Sequence, residues 1–315
     1  MMRDALLSDL IELHQFEIVT MHDSRLPPAQ LAHRSISVES GQFMDKFKQT
    51  LSEVDLVWLI APETDGTLIE LSELCYESHD QGVLLIGCGY DAILIGTSKT
   101  LCYEALRDAG IHTPPVYTGE DLIQANGYAS VPKLSVSKWV AKPEDGAGCD
   151  GIRLFGSLDD LKHWIMQDDR HFHYLAQPFQ KGVAASFSML CRNGKAWLLS
   201  CNQQLIESDG GSFKLTGIKV NGMLAYWQRF ETIARKIARM LPDALGYIGV
   251  DVIVDADDKD KVYVIEINPR LTTSYTGLRE ALGCNPAQLI LDCVLEDRFL
   301  MPNIAKNQVE IRMLG

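Results

Sequence analysis

No apolar run in this chain approaches the ~20 residues that a membrane-spanning helix needs, which argues against a helical membrane protein. The opening MMRDALLSDLIEL carries acids inside its apolar pattern and has no small-residue cleavage site. It reads as an amphipathic helix, not a signal peptide. Positive charge is scarce: 29 Lys and Arg against 42 Asp and Glu give a formal net charge of -13. That argues against nucleic acid or an anionic membrane as the main partner, and leaves small molecules as the expected ones. An anionic ligand would have to be held by a few locally placed Lys, Arg or backbone N–H groups. The eight cysteines include no C-x-x-C and no paired spacing. Reduced, buried thiols in a cytoplasmic protein are expected, not disulfides or structural zinc. A G-x-S-x-G nucleophile motif is missing, as are the H-R-D and D-F-G signatures of protein kinases. What is present is the composition of an ordinary folded protein, 46% hydrophobic and 23% charged over 315 residues. That length suits one large domain or two to three smaller ones.

Up to about residue 97 strands and helices alternate. EIVTMHD (17–23), VDLVWLI (54–60) and VLLIGC (83–88) read as short apolar strands, the latter two buried on both faces. VESGQFMDKFKQTL and DGTLIELSELCYESHD carry helical spacing between them. Such alternation implies βαβ units and a parallel sheet. The chain begins directly on a helix, which leaves open whether a strand precedes it. From residue 98 the order changes to α+β. SKTLCYEALRDAGIHTPP is a helix stopping at Gly110, followed by a strand KWVAKPE, a turn DGAGCDG, a strand GIRLF and a helix SLDDLKHWIMQ. YLAQPFQKG precedes two longer strands around Asn193-Gly194, a hairpin signal. ESDGGSFKLTGI reads as a polar loop, and AYWQRFETIARKIARML as a helix. The last strand pair is GYIGVDVIVDA and KVYVIEINPR.

That last pair carries the chemistry. Centring its acidic turn on Asp258-Lys259 sets Asp251 opposite Glu266, with Asn268 one step along the same face. Opposed like charges are destabilising unless something neutralises them, and oxygen ligands of this kind suit Mg²⁺ or Mn²⁺. A solvated sheet face is the alternative, but the flanking apolar residues suit it poorly. DGAGCDG contains a formal G-x-G-x-x-G with a strand, not a helix, after it. Its glycines therefore form a hairpin tip, which could close over phosphates with Lys142 reaching in, or be a plain surface turn. Lys99 stands in the first turn of its helix, where a cation is disfavoured unless an anion is present, although surface lysines also occur there by chance. Arg270 follows the metal candidates and suits charge developing on a transferred phosphoryl group. His171 and His173 lack a third ligand nearby and read as solvated or packing residues.

In this order the segments resemble the ATP-grasp superfamily of carboxylate–amine ligases. The carriers are SKTLCYEALRDAGIHTPP, KWVAKPEDGAGCDGIRLF, QPFQKG, GYIGVDVIV and VYVIEINPRLTTSYTGL, spanning residues 98 to 280. INPRLTTSYTGL, with APETDG (61–66), looks most like the tyramine–glutamate ligase group of methanofuran biosynthesis. The resemblance implies an α/β pre-ATP-grasp domain over 1–97. It also implies an ATP-grasp N-terminal lobe over 98–178 and a C-terminal lobe with the metal site over 179–315. It implies that Lys99 and Lys142 hold the ATP phosphates under a mobile loop of Gly146, Ala147, Gly148 and Gly151. Gln177, Pro178 and Phe179 would be the adenine hinge, and Asp251, Glu266 and Asn268 the Mg²⁺ (or Mn²⁺) ligands. Arg270, with Lys142, would serve the phosphoryl in transfer. Two departures stand out: Ser98 where the family often has Asp, and no obvious acid in QPFQKG to grip the ribose. The reaction implied is amide formation through an acyl phosphate, from glutamate and an aromatic amine. Another amino-acid ligase, or an ATP-binding regulatory module, is the alternative. Oligomeric state is left open, a homo-oligomer included.

Overall fold

The computed structural model of the protein describes residues 1–124, 138–146 and 148–313. Helix α1 (Met2–Ile11) opens the chain. It does not bury one stripe as an amphipathic helix would. Leu6 and Leu7 enter two different apolar clusters, and Asp9 between those flanks is also buried. Asp9 is held there by Tyr275 and Arg279, each donating at 2.6 Å.

Strands β1 (Val19–Asp23) and β2 (Arg34–Val38) pair in parallel, with Val19 opposite Arg34. Helix α2 (Phe43–Leu51) leads to β3 (Leu56–Val57), and α3 (Thr67–Glu77) to β4 (Leu84–Leu85), which pairs with β3 in parallel. The parallel sense agrees with the strand–helix alternation, but the single sheet does not form. The expected strands 54–60 and 83–88 shrink to two residues each. A cavity of about 460 Å³ is walled in part by residues 15–20 and 53–58, which include residues of β1 and β3. A strand is regular only as far as it has a partner to bond, so apolar sequence without a neighbour stays irregular.

Helix α4 (Tyr90–Thr97) ends where α5 (Lys99–Asp108) begins, and Gly110 follows α5 in the left-handed conformation at φ 63°. Next come α6 (Gly119–Gln124), β5 (Trp139–Pro143), β6 (Arg153–Phe155), α7 (Leu158–Ile165) and β7 (Tyr174–Pro178). The long strands β8 (Gly182–Arg192), β9 (Lys195–Asp209) and β10 (Ser212–Val220) precede α8 (Trp227–Met240). Strands β11 (Gly246–Asp255) and β12 (Val262–Asn268), helices α9 (Leu278–Leu282) and α10 (Pro286–Leu295), and β13 (Val309–Arg312) complete the chain. Among the described residues the second half makes one nine-stranded antiparallel sheet in the order β12-β11-β8-β9-β10-β6-β5-β7, with β13 on β10. β6 meets β10 through a single pair, Arg153 with Ser212. The sheet is therefore nearly two, hinged between β5-β6-β7 and the rest.

ESDGGSFKLTGI is not a loop. It is the β9–β10 hairpin, turned at Gly210-Gly211 with Ser212 opposite Asp209. Its polar residues pair across the ladder, Glu207 opposite Lys214 and Ser208 opposite Phe213. Opposite charges facing across strands stabilise the pairing, which makes polarity alone a poor loop signal here. Helix α8 lays Phe230, Ala234, Ile237 and Ala238 into the main core, at the spacing of one helical face. That core also takes Leu68, Ile93, Leu106, Phe187, Val250 and Ile267, so both halves of the chain share it. No helix among the described residues is long and apolar enough to cross a membrane. All eight cysteines are free thiols, six of them buried.

Candidate active site

The β11–β12 ladder sets Asp251 opposite Glu266 and Gly249 opposite Asn268, as expected. Nearer the turn the register differs by one residue from a turn centred on Asp258-Lys259, with Val254 opposite Val262 and Val252 opposite Val264. A bulge after Asp251 interrupts the pairing there. Glu266 and Asn268 are buried at 8% and 5% exposure. Asn268 Nδ2 donates to Asp251 at 3.4 Å, and Gln204 Nε2 on β9 donates to its other oxygen at 2.8 Å. Burial, and then the Glu266 charge, push the Asp251 carboxyl up to about 7. Two carboxylates on one apolar sheet face repel each other, and one of them is pushed toward protonation.

Two elements, α5 and β5, bring lysines to that face. Gly96 in α4 lies so close to β12 that a Cβ would stand 2.5 Å from Pro269 and 2.9 Å from the Ile267 carbonyl oxygen. This approach carries α5 to the strand end, where Lys99 Nζ reaches Glu266 at 3.6 Å. Lys99 Nζ also donates to the Gly146 carbonyl at 3.3 Å, on the Gly-rich turn. Ser98 caps α5, accepting from the Leu101 N–H at 3.1 Å. The Glu144 side chain accepts from Ser98 Oγ, Thr100 N and Thr100 Oγ1 at 2.7–3.1 Å. The start of α5 thus draws its acid from the end of β5, as helix-terminus physics favours. Lys142, buried on β5, has its ammonium pulled down to about 8 by desolvation, with Glu266 opposing the shift.

The glycine turn joins β5 and β6 as a hairpin tip, with Trp139 opposite Phe155. Gly146, Gly148 and Gly151 take φ of 146°, 70° and 70°, a region side chains disfavour. Ala147 lies outside the described residues. Gln177 and Pro178 belong to β7, and the Phe179 N–H bonds the Lys138 carbonyl at 3.0 Å. The Gln177 side chain donates to the Pro114 carbonyl at 3.2 Å, and its backbone pairs with Val140 on β5. Gln180 donates to Asp255 at 2.7 Å, an acid on β11 outside the cavity lining. The Phe179 ring stacks on Phe213 at 6.3 Å between centroids.

These parts enclose a cavity of about 430 Å³, within the range of small-molecule sites. Lys99, Lys142, Gly148, Gln177, Pro178 and Phe179 line it, as do Asp251, Glu266, Asn268 and Arg270. Gly146 and Gly151 do not, although both border the turn. Arg270 points elsewhere as well. Its Nε donates to Glu63 Oε1 at 2.7 Å, its Nη2 pairs with Glu63 Oε2, and its Nη1 donates to the Leu271 carbonyl at 3.1 Å. The sequence assigns no role to Glu63, Glu144 or Gln204, although Glu63 lies within APETDG and Glu144 within KWVAKPE. An acid directly after the apolar VWLIAP was the available signal for Glu63, and a helix start without an acid in its first turn for Glu144. Nothing local marks Gln204.

The ATP-grasp domain family matches residues 97–274, and the pre ATP-grasp 3 domain family matches 16–93. The chain belongs to the ATP-grasp family. Two relatives named tyramine–L-glutamate ligase are similar to this ATP-grasp chain. That of Methanocaldococcus fervens is 28% identical over 72% of this chain and 62% of its own length. That of Methanocaldococcus jannaschii is 27% identical over 89% and 77%. The chain therefore spans about three-fifths of the first relative and about three-quarters of the second. The L-amino acid ligase of Bacillus licheniformis has the same fold, with TM-score 0.69 at 18% identity over 93% of this chain and 71% of that one. So does the biotin carboxylase domain of Hydrogenobacter thermophilus 2-oxoglutarate carboxylase, solved with MgADP. It has TM-score 0.77 at 15% identity over 96% of this chain and 69% of that one.

The donor set fits a divalent cation brought with a nucleotide. Asp251 and Glu266 supply two carboxylates, Asn268 an amide oxygen, and the carboxyl pushed up to about 7 is what such a charge would relieve. A stability consequence follows. Because the folded-state value of Asp251 lies above 3.8, its contribution is full below about pH 4 and is lost as pH rises to about 7. In EDTA, Asp251→Asn should therefore melt progressively higher than wild type as pH rises across that window, then hold a constant advantage. A melting difference that stays flat from pH 4 to 8 would refute the like-charge account.

Proposed function

We propose that the chain is an ATP-dependent carboxylate–amine ligase that joins L-glutamate, through its γ-carboxylate, to tyramine or a related aromatic amine such as tyrosine, in methanofuran-type cofactor biosynthesis. The observation that carries the reaction class is the single cavity lined by two lysines, two carboxylates, an amide and an arginine beside a strand-edge hinge. The two relatives named tyramine–L-glutamate ligase support the substrates.

In this reading the hinge from Gln177 to Phe179 and the stacked Phe179 and Phe213 take the adenine, leaving the phosphates to run toward β12. Lys99 and Lys142 bind phosphate oxygens, which the partial desolvation of Lys142 strengthens. Asp251, Glu266 and Asn268 would hold Mg²⁺, which when bound neutralises charge between the terminal phosphates. A carboxylate oxygen of glutamate attacks the γ-phosphorus, the bond to the β-phosphate oxygen breaks, and ADP departs. Arg270 would steady the phosphoryl in flight. The neutral amine then attacks the acyl carbon, phosphate leaves, and the ammonium proton is lost to give the amide. A carboxylate is a poor electrophile, and phosphorylation supplies the leaving group. The chain's part is positioning and charge, without a protein nucleophile.

Incubation with MgATP, glutamate and tyramine or tyrosine tests this directly. Phosphate release is expected to need both acid and amine, and mass spectrometry to find the amide. Phosphate release indifferent to every added acid and amine would sink the reading.

A further inference from the structure

Arg270 does not stand alone at the cavity. Its guanidinium is gripped on its Nε and Nη2 edge by Glu63, which is 1% exposed and 207 residues away in sequence. Nη1 is fixed on the neighbouring Leu271 carbonyl. A guanidinium carries five N–H donors, and three of them are engaged in this way. The remaining two make no hydrogen bond to another described residue, and the side chain that carries them lines the cavity. Glu63 itself comes from the loop before α3, within the part matched as the pre ATP-grasp domain. The same loop holds the glycine turn: the Asp65 N–H donates to Asp145 Oδ2 at 2.7 Å.

From this geometry we infer that Glu63 is a positioning residue. It locks Arg270 in the one orientation in which its free N–H groups meet the phosphoryl in transfer. The inference rests on the phosphoryl-transfer reading above but not on the identity of the acid or the amine. An unpartnered Arg270 side chain has several rotamers and a strong pull toward the carboxylates of β11 and β12. A buried bidentate partner removes both freedoms, because the planar fork of a guanidinium fits a carboxylate in one geometry. A buried pair of this kind contributes little net stability, so its use here is orientation. It also gives the N-terminal region a direct part in the chemistry: one loop sets the arginine and tethers the phosphate turn.

The test compares equilibrium binding of MgADP alone with MgADP plus aluminium fluoride, a planar mimic of the phosphoryl in flight. Wild type should bind the nucleotide more tightly with the mimic. Glu63→Gln should lose about 10–100-fold of that gain, the range seen when a group that orients a site residue is removed. Its affinity for MgADP alone should stay within about threefold, and Glu63→Asp should recover part of the gain. A gain equal to wild type in Glu63→Gln would overturn the inference. So would an equal loss of affinity for MgADP and for the mimic, or a lowered melting temperature that accounts for the loss, since those mark a structural role. A wild type with no gain from the mimic would overturn the phosphoryl-transfer reading itself, and this inference with it.

Discussion

Arg270→Ala is expected to lower amide-forming turnover by about 10³- to 10⁵-fold, the effect of removing an arginine from a phosphoryl in transfer. The side chain is 9% exposed, lines the cavity, and lies near enough to Asp251 to draw that carboxyl down. Affinity for MgADP should change far less, because in the proposed function the nucleotide is bound by the hinge and the lysines. The substitution also strands Glu63 at 1% exposure, so a lower melting temperature is expected too. Single-turnover phosphate release, measured well below the melting transition, separates the two effects. If Arg270→Ala released phosphate at the wild-type rate, Arg270 would be part of the Glu63 pair and nothing more.

Glu266→Gln is the second large effect, with opposite signs for activity and stability. Turnover should fall by at least about 10²- to 10³-fold, the scale of losing one preorganised electrostatic group. Among the described residues only two carboxylates line the cavity, and the amide keeps the shape while losing the charge. Ligand-free stability should hold or rise, because Glu266 is what Asp251 is repelled by after burial itself. The counterweight is the Lys99 contact at 3.6 Å, which the amide weakens. Gain of melting temperature with loss of function is the pattern of a site that stores strain for a ligand. Paired phosphate-release and thermal-melting measurements decide it. Full activity would remove Glu266 from the metal assignment, and a collapsed fold would make it structural.

Much of the site was legible because it is built on a hairpin. A turn near Asp258-Lys259 confines which residues can face each other. Counting from it reached Asp251 against Glu266 only because a bulge after Asp251 shifts the ladder, which nearer the turn pairs Val254 with Val262. The β5–β6 tip was legible on the same ground, since a strand after the glycines excludes a helix start. The parallel sheet was legible in sense but not in extent: VDLVWLI and VLLIGC are apolar enough to be strands, yet only two residues of each find a partner. ESDGGSFKLTGI misled in the other direction, since its polar residues are paired with one another across β9 and β10.

By itself the sequence determined the α/β then α+β order and the placing of Asp251, Glu266 and Asn268, the candidate oxygen ligands, on one strand pair. Each of these depends on neighbours close in the chain, where alternation and turn length leave little choice. Tertiary structure alone decided what those side chains touch. Glu63 reaches Arg270 across 207 positions, Gln204 reaches Asp251 across 47, and Glu144 caps a helix that starts 45 residues before it. None of these pairs has a periodicity to read. They meet because Gly96 lets α4 lie against β12 and because one core spans both halves of the chain.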